Sequence, residues 1–162
     1  MEIYKAPQKY PKDRKFTIFL GGTIELGNSE DWQSKITQFL STYNFDIRVL
    51  NPRRDDFDAS QEQSIKNPYF KEQVNWELDG LDVSDLIIMY LQPGTKSPIS
   101  MMETGLHINT LTWNKQMVIC APEGFYRKGN VEIMVDRYPY HSTLVETFED
   151  LEIFVTNYLL NI

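Results

Sequence analysis

Two glutamates sit where helical periodicity gives them chemistry to do. In the segment beginning at Phe70, positions 70, 74, 77, 78 and 81 share one helical face, and four of them are Phe70, Val74, Leu78 and Leu81. The fifth is Glu77. A carboxylate in an apolar stripe is costly to bury, so Glu77 either reaches a cavity or joins an ion pair, and the sequence leaves both open. Asp79, about half a turn round, is the solvated one. A second segment opens at Ser97-Pro98, an N-cap followed by proline at the first helical position, with Ile99, Met102, Leu106 and Thr110 as its expected inward stripe. Glu103 flanks that stripe within two turns of the start, where the helix dipole favours the carboxylate form and suits a nucleophile. Ser100-Met-Met-Glu103 also fits a capping box, but with Ser97 as the cap Glu103 falls a turn too deep for that job. Two carboxylates on neighbouring helices equip a protein for reaction through an oxocarbenium-like sugar centre. One attacks the anomeric carbon, and the other handles the proton of the leaving group.

Other chemical signals are thinner. Gly21-Gly22-Thr23, after an apolar run, either brings the backbone close to a ligand and offers its N–H groups or makes a plain tight turn. The spacing in Leu20-Gly-Gly-Thr-Ile-Glu-Leu-Gly27 is not G-x-G-x-x-G and no G-K-[ST] follows, which argues against dinucleotide and triphosphate loops of those kinds. His107, one turn beyond Glu103, is either an orienting partner or a structural histidine. His107 and His141 lack ligand-spaced partners, so no metal site is expected. Cys120, inside the run Met117-Val-Ile-Cys-Ala121, is a poor nucleophile, and there is no G-x-S-x-G elbow.

The elements that must position these residues alternate along the chain. Apolar, β-branched runs at 16–20, 46–50, 85–91 and 116–121 read as strands, with 143–145 a fifth, and helical patterns lie at 30–43, 70–82, 98–113 and 147–160. Alternation predicts a mainly parallel sheet of about five strands with helices on both faces, and ligands outside the carboxyl ends of the strands. Function is therefore sought in segments 21–32, 51–68, 92–103 and 122–131. Segment 51–68 is long enough to be a lid or a base-recognition loop, or a plain surface connection. One domain over 16–162 is expected, after an irregular lead-in at 1–15. A balance of 16 Lys and Arg against 23 Asp and Glu gives a net charge of −7, the wrong sign for nucleic-acid polymers or anionic membranes. A single cysteine and the lack of a long apolar run predict a soluble, cytoplasmic protein without disulfides.

Several stretches together resemble the nucleoside 2-deoxyribosyltransferase-like family, from about residue 16 to the last helix. They are Phe19-Leu-Gly-Gly-Thr-Ile24, Asp31-Trp32, Asn51-Pro-Arg-Arg-Asp-Asp56 and Gln73-Val-Asn-Trp-Glu-Leu78, then Pro93-Gly-Thr-Lys-Ser-Pro-Ile-Ser100 with Glu103-Thr-Gly105, and Pro122-Glu-Gly-Phe-Tyr-Arg-Lys-Gly-Asn-Val131. The resemblance implies a flavodoxin-like three-layer α/β sandwich. It also implies cleavage of the N-glycosidic bond of a 2-deoxynucleoside, with the deoxyribosyl group held on Glu103 and passed to another nucleobase, and no cofactor. Glu77 matches an acidic residue that contacts the base. Asn130 matches an asparagine that reaches the sugar hydroxyls of a neighbouring subunit, so a homo-oligomer is expected. Gly21, Gly22, Thr23, Trp76 and Ser97 complete the candidate substrate-binding set, and Trp32, Trp76 and Phe125 are candidates for enclosing the base. Two positions depart from the better-known transferases. Phe19 stands where they have a tyrosine that touches the nucleophile, so Glu103 needs another partner. Ser97 stands where they have an aspartate, and related nucleotide N-glycosidases have a serine there to contact a 5′-phosphate. A hydrolase of (deoxy)nucleoside 5′-monophosphates, with Lys96, Arg127 and Lys128 nearby, is therefore the alternative, although an N-cap role also explains Ser97. A non-catalytic nucleoside- or nucleotide-sensing module, which Phe19 makes conceivable, is the third reading.

Overall fold

Strands buried on both faces read as unbroken apolar runs, and here they stack in one direction. In the computed structural model, which describes residues 1–24, 29–56, 58 and 60–162, β1 (Glu2–Lys5), β2 (Thr17–Gly22), β3 (Arg48–Asn51), β4 (Leu86–Tyr90), β5 (Gln116–Cys120) and β6 (Ser142–Val145) form an all-parallel sheet. The strand order is β1-β3-β2-β4-β5-β6. Five helices cover it: α1 (Trp32–Ser41), α2 (Pro68–Val83), α3 (Pro98–Ile108), α4 (Lys128–Arg137) and α5 (Phe148–Leu160). Residues 25–28 of segment 21–32, and 57 and 59 of segment 51–68, lie outside the described residues. Among the described residues no helix is long and apolar enough to cross a membrane.

Side chains alternate across each strand and divide the core in two. Ile18, Leu20, Val49, Ile88, Val118 and Cys120 face α1 and α5, where they meet Trp32, Ile36, Leu40, Leu151 and Val155. Phe19, Leu50, Ile87, Met89, Met117 and Ile119 face the other layer, where they meet Trp76 and Leu81 of α2, Ile108 of α3 and Val131 of α4. Leaving out β1, the order is that of the flavodoxin-like fold. It reverses between β2 and β4, so their carboxyl ends open the crevice in which such sheets bind ligands. Gly22 sits at that rim with φ +132, and a Cβ there would run into the Tyr90 backbone. Gly21 and Gly22 thus end β2, paired with Met89 and Tyr90, rather than forming a loop after it.

The structure departs from the expectations in four places. There are six strands, because residues 2–5 of the supposed irregular lead-in pair with β3. Four residues between charged ends carry too little apolar signal to reveal a strand. They are secured by Lys15, which bridges Glu2 at 2.7 Å and Asp46 at 2.6 Å, and by buried Arg48, which reaches Glu2 at 3.8 Å and pairs with Asp13 at 2.8 Å. α4 forms where only a loop was expected, since its start at Arg127 has no side-chain cap to announce it. The stripe on α2 is rotated, with Trp76, Gly80 and Leu81 buried and Leu78 exposed, while Asp79 is exposed as expected. The stripe on α3 is inverted. Ile99, Met102 and Leu106 are 56, 65 and 56 % exposed, Thr110 lies beyond the helix end, and Ser100, Glu103, Thr104, His107 and Ile108 point inward.

Candidate active site

The crevice between β2 and β4 is floored by hydroxyl groups. Thr23, the first residue after β2, is buried and bonds its amide to the Tyr90 carbonyl at 2.8 Å. Its Oγ1 accepts from the Gln92 amide at 2.9 Å and lies 2.5 Å from Ser97 Oγ and 3.3 Å from Thr95 Oγ1. Thr95 Oγ1 and Ser97 Oγ are 3.0 Å apart. Ser97 does occupy the N-cap position of α3, but in the left-handed region at φ 42, and its hydroxyl makes no capping bond. The N-cap role therefore does not explain this serine; its side chain belongs to the hydroxyl cluster. Thr95 and Gln92 lie in segment 92–103, where function was sought, but were not named as site residues; the signal for them was available, as polar residues just past β4 at the reversal.

Glu103 follows on the inner side of α3 and is 8 % exposed. Among the described residues no donor bonds its carboxylate, and Phe19, buried beneath the crevice in the same layer, offers none. Burial pushes the carboxyl up to about 8, with the negative charge of Glu77 adding to the effect. The dipole of α3 does not hold Glu103 in the low range of a stabilised carboxylate; desolvation outweighs it. The absence of a capping-box bond agrees with its depth in the helix.

Glu77 reaches the same region from α2. Gly80 lets this helix settle on the Phe19 ring, where a Cβ would come within 2.8 Å. Among the described residues Glu77 has no cationic partner. Its Oε1 accepts from Gln73 Nε2 at 2.7 Å, and burial pushes its carboxyl up to about 7 against the lowering effect of that bond. The ion-pair alternative is thus not what the fold uses. Gln73 was not anticipated as part of the site, although a Gln four residues before a Glu on a helix is a recognisable pair.

The remaining candidates are dispersed. Trp76 is buried, bonds the Gln8 carbonyl through Nε1 at 2.8 Å and packs on Phe19 and Tyr10. Trp32 is fully buried in the layer of α1 and α5, on the far side of the sheet from Glu103, and supports the crevice only by donating to the Thr23 carbonyl at 3.0 Å. Phe125 is likewise core. These rings are held by packing and hydrogen bonds, so none of the three forms an open wall for a base. His107 is buried, its Nε2 has no hydrogen-bond partner among the described residues, and burial, then the charge of Lys115, lowers its proton affinity. Asn130 is exposed on the first turn of α4. Two open grooves of about 370 and 350 Å³ lie elsewhere, beside β1 and α1 and at the end of α5.

A family model described as nucleoside 2-deoxyribosyltransferase like matches residues 15–125, more than half of the chain and the part that carries Thr23, Glu77, Ser97 and Glu103. The chain belongs to the nucleoside 2-deoxyribosyltransferase-like family. Asn130 falls outside the matched residues. No curated protein matches the sequence. Among solved structures, a conserved protein from Enterococcus faecalis V583 superimposes with a TM-score of 0.60 at 11 % identity, covering 88 % of this chain and 98 % of that one. At that identity the likeness concerns the fold, which for this family member is the three-layer α/β sandwich.

Proposed function

We propose that this family member cleaves the N-glycosidic bond of 2-deoxynucleosides and transfers the deoxyribosyl group to a second nucleobase. The observation that carries the reading is the pair of carboxylates beside the crevice of a nucleoside 2-deoxyribosyltransferase-like fold, Glu103 buried and Glu77 half-buried with its charge acting on Glu103. With one carboxyl raised to about 7 and the other to about 8, the pair passes through a form that holds one proton as pH rises. In the productive arrangement a bound base draws that proton to Glu77, and Glu103 carries the charge. The Glu103 carboxylate attacks the anomeric carbon, the C–N bond breaks with its electron pair leaving on the base, and the base takes the proton from Glu77. A ring nitrogen of the second base then opens the ester on Glu103 and returns a proton to Glu77. Glycosyl transfer requires the acceptor to occupy the place of the first base and keep water out.

One observation favours a second reading. Because the Ser97 hydroxyl belongs to the cluster with Thr23 and Thr95 rather than to the helix cap, it suits a 5′-phosphate, as in a nucleotide N-glycosidase. Chromatography of deoxyadenosine, thymidine and their monophosphates, each with and without a second base, tests both. The expected result is a new nucleoside appearing faster than free deoxyribose. Reaction of the monophosphates alone, with release of sugar phosphate and its suppression in Ser97→Asp, overturns the transferase reading in favour of the second.

The site is also proposed to work in a homo-oligomer of this chain. The outer face of α3 carries Ile99, Met102 and Leu106 exposed and no exposed charge, and Gly105 within it has nothing within 4 Å of where a Cβ would stand. A glycine inside a helix costs about 1 kcal/mol relative to alanine, and no contact within the subunit accounts for it. Apolar knobs beside an open hole on an uncharged face are self-complementary across a two-fold axis, which commits the occupant to a second copy. Such pairing would leave exposed Asn130 free to serve a neighbouring site. Light scattering is expected to give at least a dimer, and Leu106→Glu to give monomers with little activity. A fully active monomer refutes the shared site.

A further inference from the structure

The amide of Gln73 joins two things that nothing else in the crevice connects. Its Nε2 donates to Glu77 Oε1 at 2.7 Å and to the Pro52 carbonyl at 2.9 Å. Both acceptors are oxygens and the Pro52 carbonyl has no hydrogen to give, so the orientation of the amide is fixed and both N–H groups are used. The cost is visible, because among the described residues Gln73 Oε1 is buried without a partner. Buried polar atoms are seldom left unpaired unless something else is gained.

Holding the segment after β3 is not the gain, since that segment is anchored without Gln73. The Asn51 side chain accepts from the Arg53 amide at 2.9 Å. Arg54 is buried, bonds Asp56 through two nitrogens at 2.8 and 3.0 Å, reaches Glu72 at 3.6 Å and lies over the Tyr69 ring at 4.2 Å. Tyr69 and Glu72 both belong to α2, so the segment is already fastened to the helix that carries Gln73. What the Gln73 amide adds is a fixed position for the Glu77 carboxylate relative to that segment.

We propose that Gln73 is a positioning residue for the base-side carboxylate, its amide latching Glu77 to the segment after β3 so that the orientation and ionisation of Glu77 depend on that segment. The proposal rests on the reading of Glu77 as the group that handles the proton of the base. The charged groups around Glu77 leave Gln73 this role. Glu103, from α3, is the neighbour whose charge couples to it, Arg54 of the post-β3 segment is engaged by Asp56 and Glu72, and Asp79 on α2 is exposed. An N–H group held on a carboxylate favours its ionised form, which is the direction of the effect of Gln73 on Glu77.

The test combines a titration with kinetics. Carbon-13 shifts of the glutamate carboxyls, assigned through Glu77→Gln, follow Glu77 with pH in the parent and in Gln73→Leu, with Gln73→Met as the second variant should the first not fold. Loss of the amide is expected to move the Glu77 midpoint up by about one pH unit. The limbs of the kcat/KM profile for base exchange are expected to move with it, while the maximum stays within a few-fold. In the Glu77→Gln background, replacing Gln73 should leave the profile in place. An unmoved midpoint, or a rate that falls evenly at all pH values, overturns the proposal. A moved midpoint in a protein that exchanges no base upholds the latch and defeats the transferase reading instead, so the two failures are distinct.

Discussion

Glu103→Gln is expected to lower base exchange by about a thousandfold or more and, at the same time, to make the protein more stable at pH 8. The loss follows from the proposed mechanism, because an amide oxygen cannot form the glycosyl ester. The gain follows from the environment of the carboxyl, which is raised from 4.5 to about 8 chiefly by burial. Between those values the folded chain holds a proton that the unfolded chain has released. Stability therefore falls as pH rises through that window, and above it the fold carries a buried charge. A glutamine of nearly the same shape removes the penalty. It should be close to neutral at pH 4 and stabilising by about 2 kcal/mol at pH 8, or roughly 4–8 °C in Tm for a chain of this size. Thermal unfolding at the two pH values, beside a chromatographic exchange assay, checks both halves. A variant that keeps most of its exchange activity sinks the nucleophile assignment. One that is less stable at pH 8 contradicts the uncompensated burial of Glu103.

The same burial explains what the sequence could and could not reveal. Strands β2 to β5 are legible because both of their faces are covered, so that Ile18-Phe19-Leu20 or Leu86 to Met89 read as unbroken apolar runs. β1 is illegible because it is short, lies at an edge, and adds to its ladder with β3 charged contacts from residues outside it, Lys15 and Arg48. Glu77 was legible as a carboxylate in an expected apolar stripe and Glu103 by its depth from the start of α3, and the family motifs pointed to the same pair. The facing of α3 was not legible. Periodicity assigns apolar residues to the inside, whereas this helix turns Ser100, Glu103, Thr104 and His107 to the sheet and leaves Ile99, Met102 and Leu106 outside. A helix that turns its polar residues to the sheet reverses the usual rule. Ser97 misled for a related reason: its position is that of a cap, but the left-handed backbone and the nearby Thr23 and Thr95 hydroxyls direct its side chain elsewhere. The spacing of Gln73 and Glu77 is readable as a helical pair, but the contact of Gln73 with Pro52, 21 positions away, is one that no local pattern encodes.

Base exchange is expected to have a narrow, bell-shaped pH profile with its maximum between about 7 and 8. Both limbs come from the carboxylate pair. Glu77 is raised to about 7, by burial against the opposing bond from Gln73, and Glu103 to about 8, by burial and by the charge of Glu77. Below the first value both groups are protonated and there is no nucleophile; above the second both are ionised and no proton is left for the departing base. Activity belongs to the form with one proton, whichever of the two holds it in the empty site. On the acid side kcat/KM should fall about tenfold per pH unit, so that pH 5 gives roughly a hundredth of the maximum, and the alkaline side should fall as steeply beyond pH 8. Exposed glutamates with ordinary carboxyl groups would instead leave the rate flat from pH 5 upward. Glu77→Gln supplies the control: with the base-side proton donor gone, the alkaline limb should disappear along with most of the rate. Initial rates of exchange between thymidine and adenine across pH 5–10, in the parent and in Glu77→Gln, decide the matter. A profile already level at pH 5 would mean that Glu103 is ionised throughout the range, and the proton shared across α2 and α3 could not be part of the reaction.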